Sequence, residues 1–178
     1  MYVNPALPAG LTIRTASPAD FNALHAARDE VAREKLYLSM FQAPPLEQAI
    51  RFFQNSLDKN HPLKLLVRDN QEVLGWCEIS GVHGDMRAHI GMLGTGLVAP
   101  MRDQGLGGAL MQAAIDAAWA RGFTRIQLSV RMDNLRAIRL YERLGFEREG
   151  VQRKGGLVDG VYHDLLTMAL LREPLPAP

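Results

Sequence analysis

With 178 residues, the chain is long enough to bury one full hydrophobic core and too short for two ordinary domains. Its 47% hydrophobic and 22% charged residues match a globular protein rather than a disordered or fibrous one. A formal charge of +1, from 20 basic against 19 acidic residues, supplies no global field for nucleic acid or an anionic membrane, and the single cysteine, Cys77, excludes an internal disulfide and a cysteine-rich zinc site.

The segment Met1-Tyr-Val-Asn-Pro5 has neither a positive leader nor an apolar signal core, and no uncharged run is long enough to span a bilayer. The protein is therefore expected in the cytoplasm. Residues 1–10, with Pro5, Pro8 and Gly10, read as a lead-in, and Leu11–Thr15 alternates as a first strand. Ser17-Pro18-Ala-Asp20 places a cap before a proline suited to the first helical position. From there to about Lys35, Phe21, Leu24, Ala27 and Val31 keep helical spacing, as one helix or a broken pair. Met40-Phe-Gln-Ala-Pro-Pro45 interrupts, and a second helix follows from Leu46 to about Leu57. The interruption, rich in large residues and prolines, suits a substrate wall.

Leu63–Arg68 and Val73–Val82 read as an antiparallel hairpin around Asp69-Asn70-Gln71, and Ala88–Val98 as the next strand after the turn His83-Gly84-Asp85. A helix with Leu106, Leu110, Ala113, Ala114 and Ala117 on one face runs to a glycine cap at Gly122. Phe123–Val130 alternates as a strand parallel to the preceding one, because a helix joins them. Asp133-Asn134 opens a last helix that closes at Gly145. Phe146–Val151 and Val161–Leu171 pair as a final hairpin across the glycine-rich stretch Lys154–Gly160, and residues 173–178 form a tail. The sum is a single-domain α/β fold over residues 11–171: a mixed, mostly antiparallel sheet with helices on both faces, in the order β-α-α-β-β-β-α-β-α-β-β.

The stretch Met101-Arg-Asp-Gln-Gly-Leu-Gly-Gly-Ala-Leu110 links a strand to a helix through glycines at 105, 107 and 108. Such a turn leaves several backbone N–H groups without intrahelical partners, and with the helix dipole they favour an anion. A Walker A loop would need Gly-Lys-Ser/Thr where Gly107-Gly108-Ala109 stands, and a dinucleotide fingerprint would need glycine at Leu110. What fits is Arg-x-x-Gly-x-Gly in Arg102, Gly105 and Gly107, which resembles the pyrophosphate signature of the GCN5-related N-acetyltransferases. A helix whose glycines merely allow close packing on a sheet is the plainer alternative.

A second stretch, Asn134-Leu-Arg-Ala137-Ile-Arg-Leu140-Tyr141-Glu-Arg-Leu-Gly145-Phe146, resembles that family's later signature. The segments Phe146-x-x-Glu149-Gly150 and Asp159-Gly160-Val-Tyr162-x-Asp164-x-x-x-Met168 are similar to the closing hairpin of its amino-acid and phosphinothricin-type branch. The resemblance implies the acyl-CoA N-acyltransferase fold and acetyl-CoA as co-substrate, with no metal. It implies that the turn Arg102, Asp103, Gln104, Gly105, Leu106, Gly107 and Gly108 holds the pyrophosphate through amides from Asp103 onward. A bulged strand at Thr95, Gly96 and Leu97 would pair with pantetheine and aim one N–H at the acetyl oxygen. Glycines at 91, 94 and 96 fit a bulge or close approach, or simply a flexible edge.

Asn134 reads as a helix N-cap and, by resemblance, as a contact to the pantetheine arm. Tyr141 reads as core filler or, by resemblance, as the acid that protonates the departing thiolate. For the base, Glu78 and His89 on central strands are the first candidates, with His83 and Asp85 in the adjoining turn and His163 further off. Each is also readable as an ordinary hydrogen-bonded side chain. Where some relatives carry a glutamate on the strand before the glycine turn, this chain has Gly91, so a carboxylate base from that strand is in doubt. Cys77, in an apolar run, reads as a small buried hydrophobe.

These readings converge on transfer of an acetyl group from acetyl-CoA to a small primary amine, an amino acid or a similar compound. Acetylation of a protein N-terminus or lysine, and a non-catalytic acyl-CoA-binding module, stand as alternatives. The expected partner is the small-molecule amine, not nucleic acid or membrane, and a homodimer is left open. The region 28–45 and the stretch Lys154–Asp159 are expected to shape the acceptor pocket. Arg33, Arg131 and Arg153 are available for a substrate carboxylate, although a solvated role fits each of them too.

Overall fold

A computed structural model describes residues 7–69 and 71–172; the rest of the expected lead-in and the tail over 173–178 lie outside the described residues. Seven strands form one sheet in the order β1-β2-β3-β4-β5-β7-β6: β1 (Leu11–Thr15), β2 (Leu63–Arg68), β3 (Glu72–Gly81), β4 (Ile90–Leu97), β5 (Arg125–Arg131), β6 (Glu147–Val158) and β7 (Val161–Leu171). All neighbours are antiparallel except β4 and β5, the pair joined through a helix. The helices are α1 (Phe21–Arg33), α2 (Leu46–Asp58), α3 (Leu106–Arg121) and α4 (Leu135–Arg143). The expected fold class and element order are thus observed.

The start of α1 shows how local chemistry sets an element. A single 3-10 turn, Pro18–Asp20, precedes the helix, and the Asp20 carboxylate accepts from the Ser17 amide and hydroxyl and from the Arg14 fork. The Arg14 guanidinium beside it holds the Asp20 carboxyl down at about 2. The region up to Lys35 is one helix, ended at Lys35 by a positive φ of 55°. At the ends of α3 and α4, Gly122 (φ 102°) and Gly145 (φ 92°) take the left-handed conformation common at a helix C-terminus.

Alternation along β3 sorts the core into two layers. Trp76 and Glu78 point to the α1 side, where Arg28 meets both, so Cys77 and Ile79 point to the other. On that face α3 packs over β2, β3 and β4, with Leu106, Leu110, Met111, Ala114, Ile115 and Ala118 buried. Burial also pushes the Cys77 thiol up, as expected of a small buried hydrophobe.

The closing hairpin departs from expectation. The strand expected to stop at Val151 continues to Val158, and the stretch expected as a loop narrows to the two-residue turn Asp159-Gly160. Both turn residues have positive φ, 46° and 82°, which is the mirror-image turn that Asp-Gly favours between twisted strands. The glycines at 155 and 156 sit in an irregularity where the register shifts between Gln152 and Gly156. There the Lys154 amide is held by the Asp164 carboxylate.

Candidate active site

The parallel pair β4–β5 carries the opening. Its register covers only Ile90↔Arg125, Gly91↔Ile126 and Met92↔Gln127, and beyond that the strands separate. Thr95, Gly96 and Leu97 line one side of the resulting cleft and Ser129 and Val130 the other, with α3 and α4 completing a volume of about 210 Å³. Pairing of β4 with β3 is regular from Gly75↔Leu97 to Gly81↔Gly91. The expected bulge at Thr95, Gly96 and Leu97 is therefore absent. What frees the strand is loss of its β5 neighbour. Ile90 and Val98 bond to β3-side residues, and antiparallel alternation then turns the amides of Thr95 and Leu97 away from β3, into the gap.

The strand glycines make room for side chains from β3. A Cβ on Gly96 would lie 2.4 Å from the Trp76 ring, and one on Gly94 would lie 3.1 Å from Glu78 Oε1. Trp76 lies across β4 because residue 96 is glycine, whereas at Gly94 the fit with the Glu78 carboxylate is only tight.

At the mouth of the cleft, Asp103 (φ 61°) and Gly105 (φ 76°) turn the chain into α3. Among the described residues, no acceptor is found for the amides of Asp103, Gln104, Gly105, Leu106 or Gly107. The Gly108 amide is already taken by the Gly105 carbonyl, so the run of open donors stops one residue earlier than expected. Together with the positive end of a 16-residue helix, this is an anion cradle made of main chain. Leu106 is there as a core anchor, 1% exposed, and Gln104 binds the Pro100 carbonyl from outside.

Arg102 has a different use from direct contact with a phosphate. Its Nε donates to the Leu97 carbonyl, and its two terminal nitrogens form a fork on Glu34. Its guanidinium carbon also lies 4.8 Å from the centre of the Tyr37 ring. The guanidinium thus ties the end of β4, the glycine turn and the segment after α1 into one unit.

Asn134 caps α4 by accepting from the Ala137 amide at 3.2 Å. Its Nδ2 has no partner among the described residues, and the residue lines the cleft, so cap and ligand contact are compatible. Tyr141 lines the same cleft, with its ring 6.0 Å from that of Phe146. Its hydroxyl bonds to no described residue, and burial raises its pKa, which keeps the proton on the oxygen.

The other candidates separate clearly. Glu78 is 9% exposed and pairs with Arg28 at 2.9 Å, one residue along β4 from Thr95 by register. His89 is exposed at the opposite end of β4, roughly 20 Å of extended chain from Thr95, and His83 and Asp85 share that distant end. None of the three reaches the cleft. His163 lies 3.6 Å from Asp133 beside the hairpin. Arg33 and Arg131 are paired with Asp29 and Asp133, and Arg153 is exposed on β6. Among the described residues, no group of three His, Cys, Asp or Glu side chains is placed to hold a metal ion, and no helix is long and apolar enough to cross a membrane.

Sequence reasoning missed Arg28. The signal was available, since Leu24, Arg28 and Val31 fall at i, i+4 and i+7, which sets an arginine on the buried face of α1. The region 28–45, expected at the acceptor pocket, does supply Met40, Ala43 and Pro44 to an apolar pocket beside Arg28, but the part that α2 plays there through Phe52 and Phe53 was not foreseen.

Comparison with known proteins identifies the family. The profile of the acetyltransferase (GNAT) family matches residues 23–146. The L-amino acid N-acetyltransferase AaaT of Escherichia coli is 30% identical over 91% of this chain and 98% of its own length. The L-methionine sulfoximine/L-methionine sulfone acetyltransferase of Pseudomonas aeruginosa is 28% identical over 92% and 95%. Among solved structures, a phosphinothricin acetyltransferase from Sinorhizobium meliloti in complex with acetyl-CoA superposes with a TM-score of 0.85 at 20% identity, over 95% of this chain and 92% of that one. With the family profile, full-length relatives, the fold and a cleft of open amides in agreement, the chain belongs to the acetyltransferase (GNAT) family and is an acetyl-CoA-dependent N-acetyltransferase.

Proposed function

We propose that residues 11–171 form a domain that acetylates the α-amine of an amino acid or a close analogue by direct attack on the thioester, in the cytoplasm. The observation that carries this reading is the meeting of three unsatisfied groups in one cleft: the open amides Asp103–Gly107, the β4 amides facing the gap, and the unbonded hydroxyl of Tyr141. Acetyl-CoA supplies an activated acyl group on a thiol that leaves readily. The cradle before α3 holds the diphosphate, and the amides of Thr95 and Leu97 hold the extended arm, one of them donating to the acyl oxygen as it gains charge. Asn134 steadies the same arm.

The amine nitrogen forms the new C–N bond as the C–S bond breaks. Tyr141 gives its proton to the sulfur, and Glu78 Oε1 takes one from the nitrogen. Burial raises the tyrosine pKa, and desolvation would raise that of the leaving thiol in the same direction. The substrate class draws on the L-amino acid and methionine sulfoximine acetyltransferases to which this chain is similar. The test is acetyl-CoA consumption by the wild type across amino acids, polyamines, aminoglycosides and peptides. Turnover concentrated in free amino acids is the expected result. Turnover confined to peptides, or no acetyl-CoA binding by calorimetry, would overturn the reading.

A further inference from the structure

The geometry points to the Arg28–Glu78 pair as a receptor for the two charged ends of an α-amino acid, with the neighbouring apolar pocket taking a large uncharged side chain such as that of phenylalanine. This rests on the amino-acid reading above and names the side-chain class and the residues that select it. The two side chains meet through one bond only, Arg28 Nη1 to Glu78 Oε2 at 2.9 Å. The guanidinium's other nitrogens and Glu78 Oε1 have no partner among the described residues, although each side chain is only 11% exposed. The pair therefore keeps unused donors at one end and an unused acceptor at the other, held a few ångströms apart. An α-amino acid carries a carboxylate and an ammonium at that same separation.

The surroundings give the pair a direction. Arg28 is held among three aromatic rings, with its guanidinium carbon 5.3 Å from Trp76, 5.5 Å from Phe53 and 5.9 Å from Phe52. Glu78 reaches over β4 at Gly94, beside Thr95 of the cleft. An ammonium on Glu78 Oε1 thus lies toward the cleft, and a carboxylate on Arg28 lies away from it. Arg28 also lines a pocket of about 180 Å³ whose walls include Met40, Pro44, Phe52 and Phe53. A cavity of about 150 Å³ with apolar walls already admits benzene. The segment over this pocket is fixed from below: His25 Nε2 donates to the Pro44 carbonyl at 2.8 Å, and the Ala43 amide donates to Asp29 at 2.9 Å.

The test is steady-state kinetics with saturating acetyl-CoA on L-phenylalanine, glycine and phenethylamine. In the wild type, kcat/KM for phenylalanine should exceed that for phenethylamine by roughly 10- to 100-fold, the worth of hydrogen bonds to a charged group. It should exceed that for glycine by a similar factor, roughly 10- to 100-fold, from burial of the ring. Arg28→Gln should bring phenylalanine down to the phenethylamine value, mainly through KM, while calorimetry shows acetyl-CoA still binding. Arg28→Lys, which keeps the charge and the buried pairing with Glu78, should restore part of the selectivity. If the wild type prefers glycine or acidic amino acids, or if Arg28→Gln retains the phenylalanine preference, the assignment is overturned while amino-acid acetylation stands. If no amino acid is a substrate but other amines are, the broader reading fails first, and the inference with it.

Discussion

At the mouth of the cleft the chain offers main-chain groups: amides from Asp103 to Gly107 and from the separated end of β4. Side chains there are turned to structural use, with Arg102 spent on Glu34 and Leu97, and Gln104 on Pro100. The pocket beside Arg28 offers side chains instead: Arg28 and the rings of Phe52 and Phe53, with Glu78 and Trp76 meeting Arg28 from β3. The difference teaches which substitutions will hurt. On the proposed cofactor side, Asn134 and Tyr141 apart, harm should come from adding atoms, because main-chain amides supply most of the proposed contacts. On the acceptor side, harm comes from removing them.

Tyr141 is the exception on the cofactor side, and it gives the largest expected effect. Tyr141→Phe deletes one hydroxyl that bonds to no described residue, so the stability change should stay within about 0.5 kcal/mol. The turnover number should fall by about 10²- to 10⁴-fold. The loss should shrink for an acyl donor with a more acidic thiol, which needs less help to leave. Lower stability with unchanged turnover would make Tyr141 a packing residue and extend the main-chain rule to the whole cleft.

The rule itself is tested by a pair of variants. A Cβ on Gly107 would meet Leu140 at 3.4 Å and Leu97 at 3.6 Å, ordinary contacts with two residues that line the cleft. Gly107→Val should therefore fold, yet raise KM for acetyl-CoA on the order of 10²-fold, as misplacement by about an ångström does elsewhere. Gln104→Ala removes an exposed side chain and should leave that KM within a factor of about two. Equal effects from the two would break the distinction between the faces.

The same distinction governs what could be read from the chain alone. Main-chain sites leave a trace in sequence because they need glycines and caps at fixed spacing: Gly105, Gly107, Asn134 and Gly145 were legible for that reason. The Arg28 pocket draws on α1, α2 and the segment between them, which no local spacing connects; the expected region 28–45 covers part of it, but the contribution of α2 and the pairing of Arg28 with Glu78 could not be read from spacing. His89 was misplaced for a related reason. Its strand was recognised, but which end of β4 separates from β5 is decided by a register of three residue pairs. Asp159-Gly160 was legible as a turn and was hidden by Gly155 and Gly156, which belong to a strand irregularity.

Acid should loosen the anchor at the start of α1. Asp20 anchors the start of α1 to β1, and Arg14 holds its carboxyl at about 2, against an ordinary 3.8. Because the folded value is depressed, its contribution is fully present above the unfolded value and is lost as pH falls from about 4 to 2. It is worth about 2 kcal/mol. Urea melts across that window should show the wild type losing about 2 kcal/mol more than Asp20→Asn. Parallel losses would mean that the contact does not hold α1 in solution.

The smallest effect is expected at the rim, where Lys35 at the end of α1 reaches Asp159 at the hairpin tip at 2.7 Å. The pair joins two segments expected to shape the acceptor pocket, so its geometry invites a role in closing it. Both side chains are well exposed, 42% and 68%, and such pairs are screened by salt and worth about 0 to 1 kcal/mol. Asp159→Asn should therefore leave KM for acetyl-CoA unchanged and raise KM for the amino acid by no more than about five-fold, with the difference vanishing at high salt. A larger change that survives high salt would show that the rim pair, and not only the packed side chains around Arg28, sets the shape of the acceptor site.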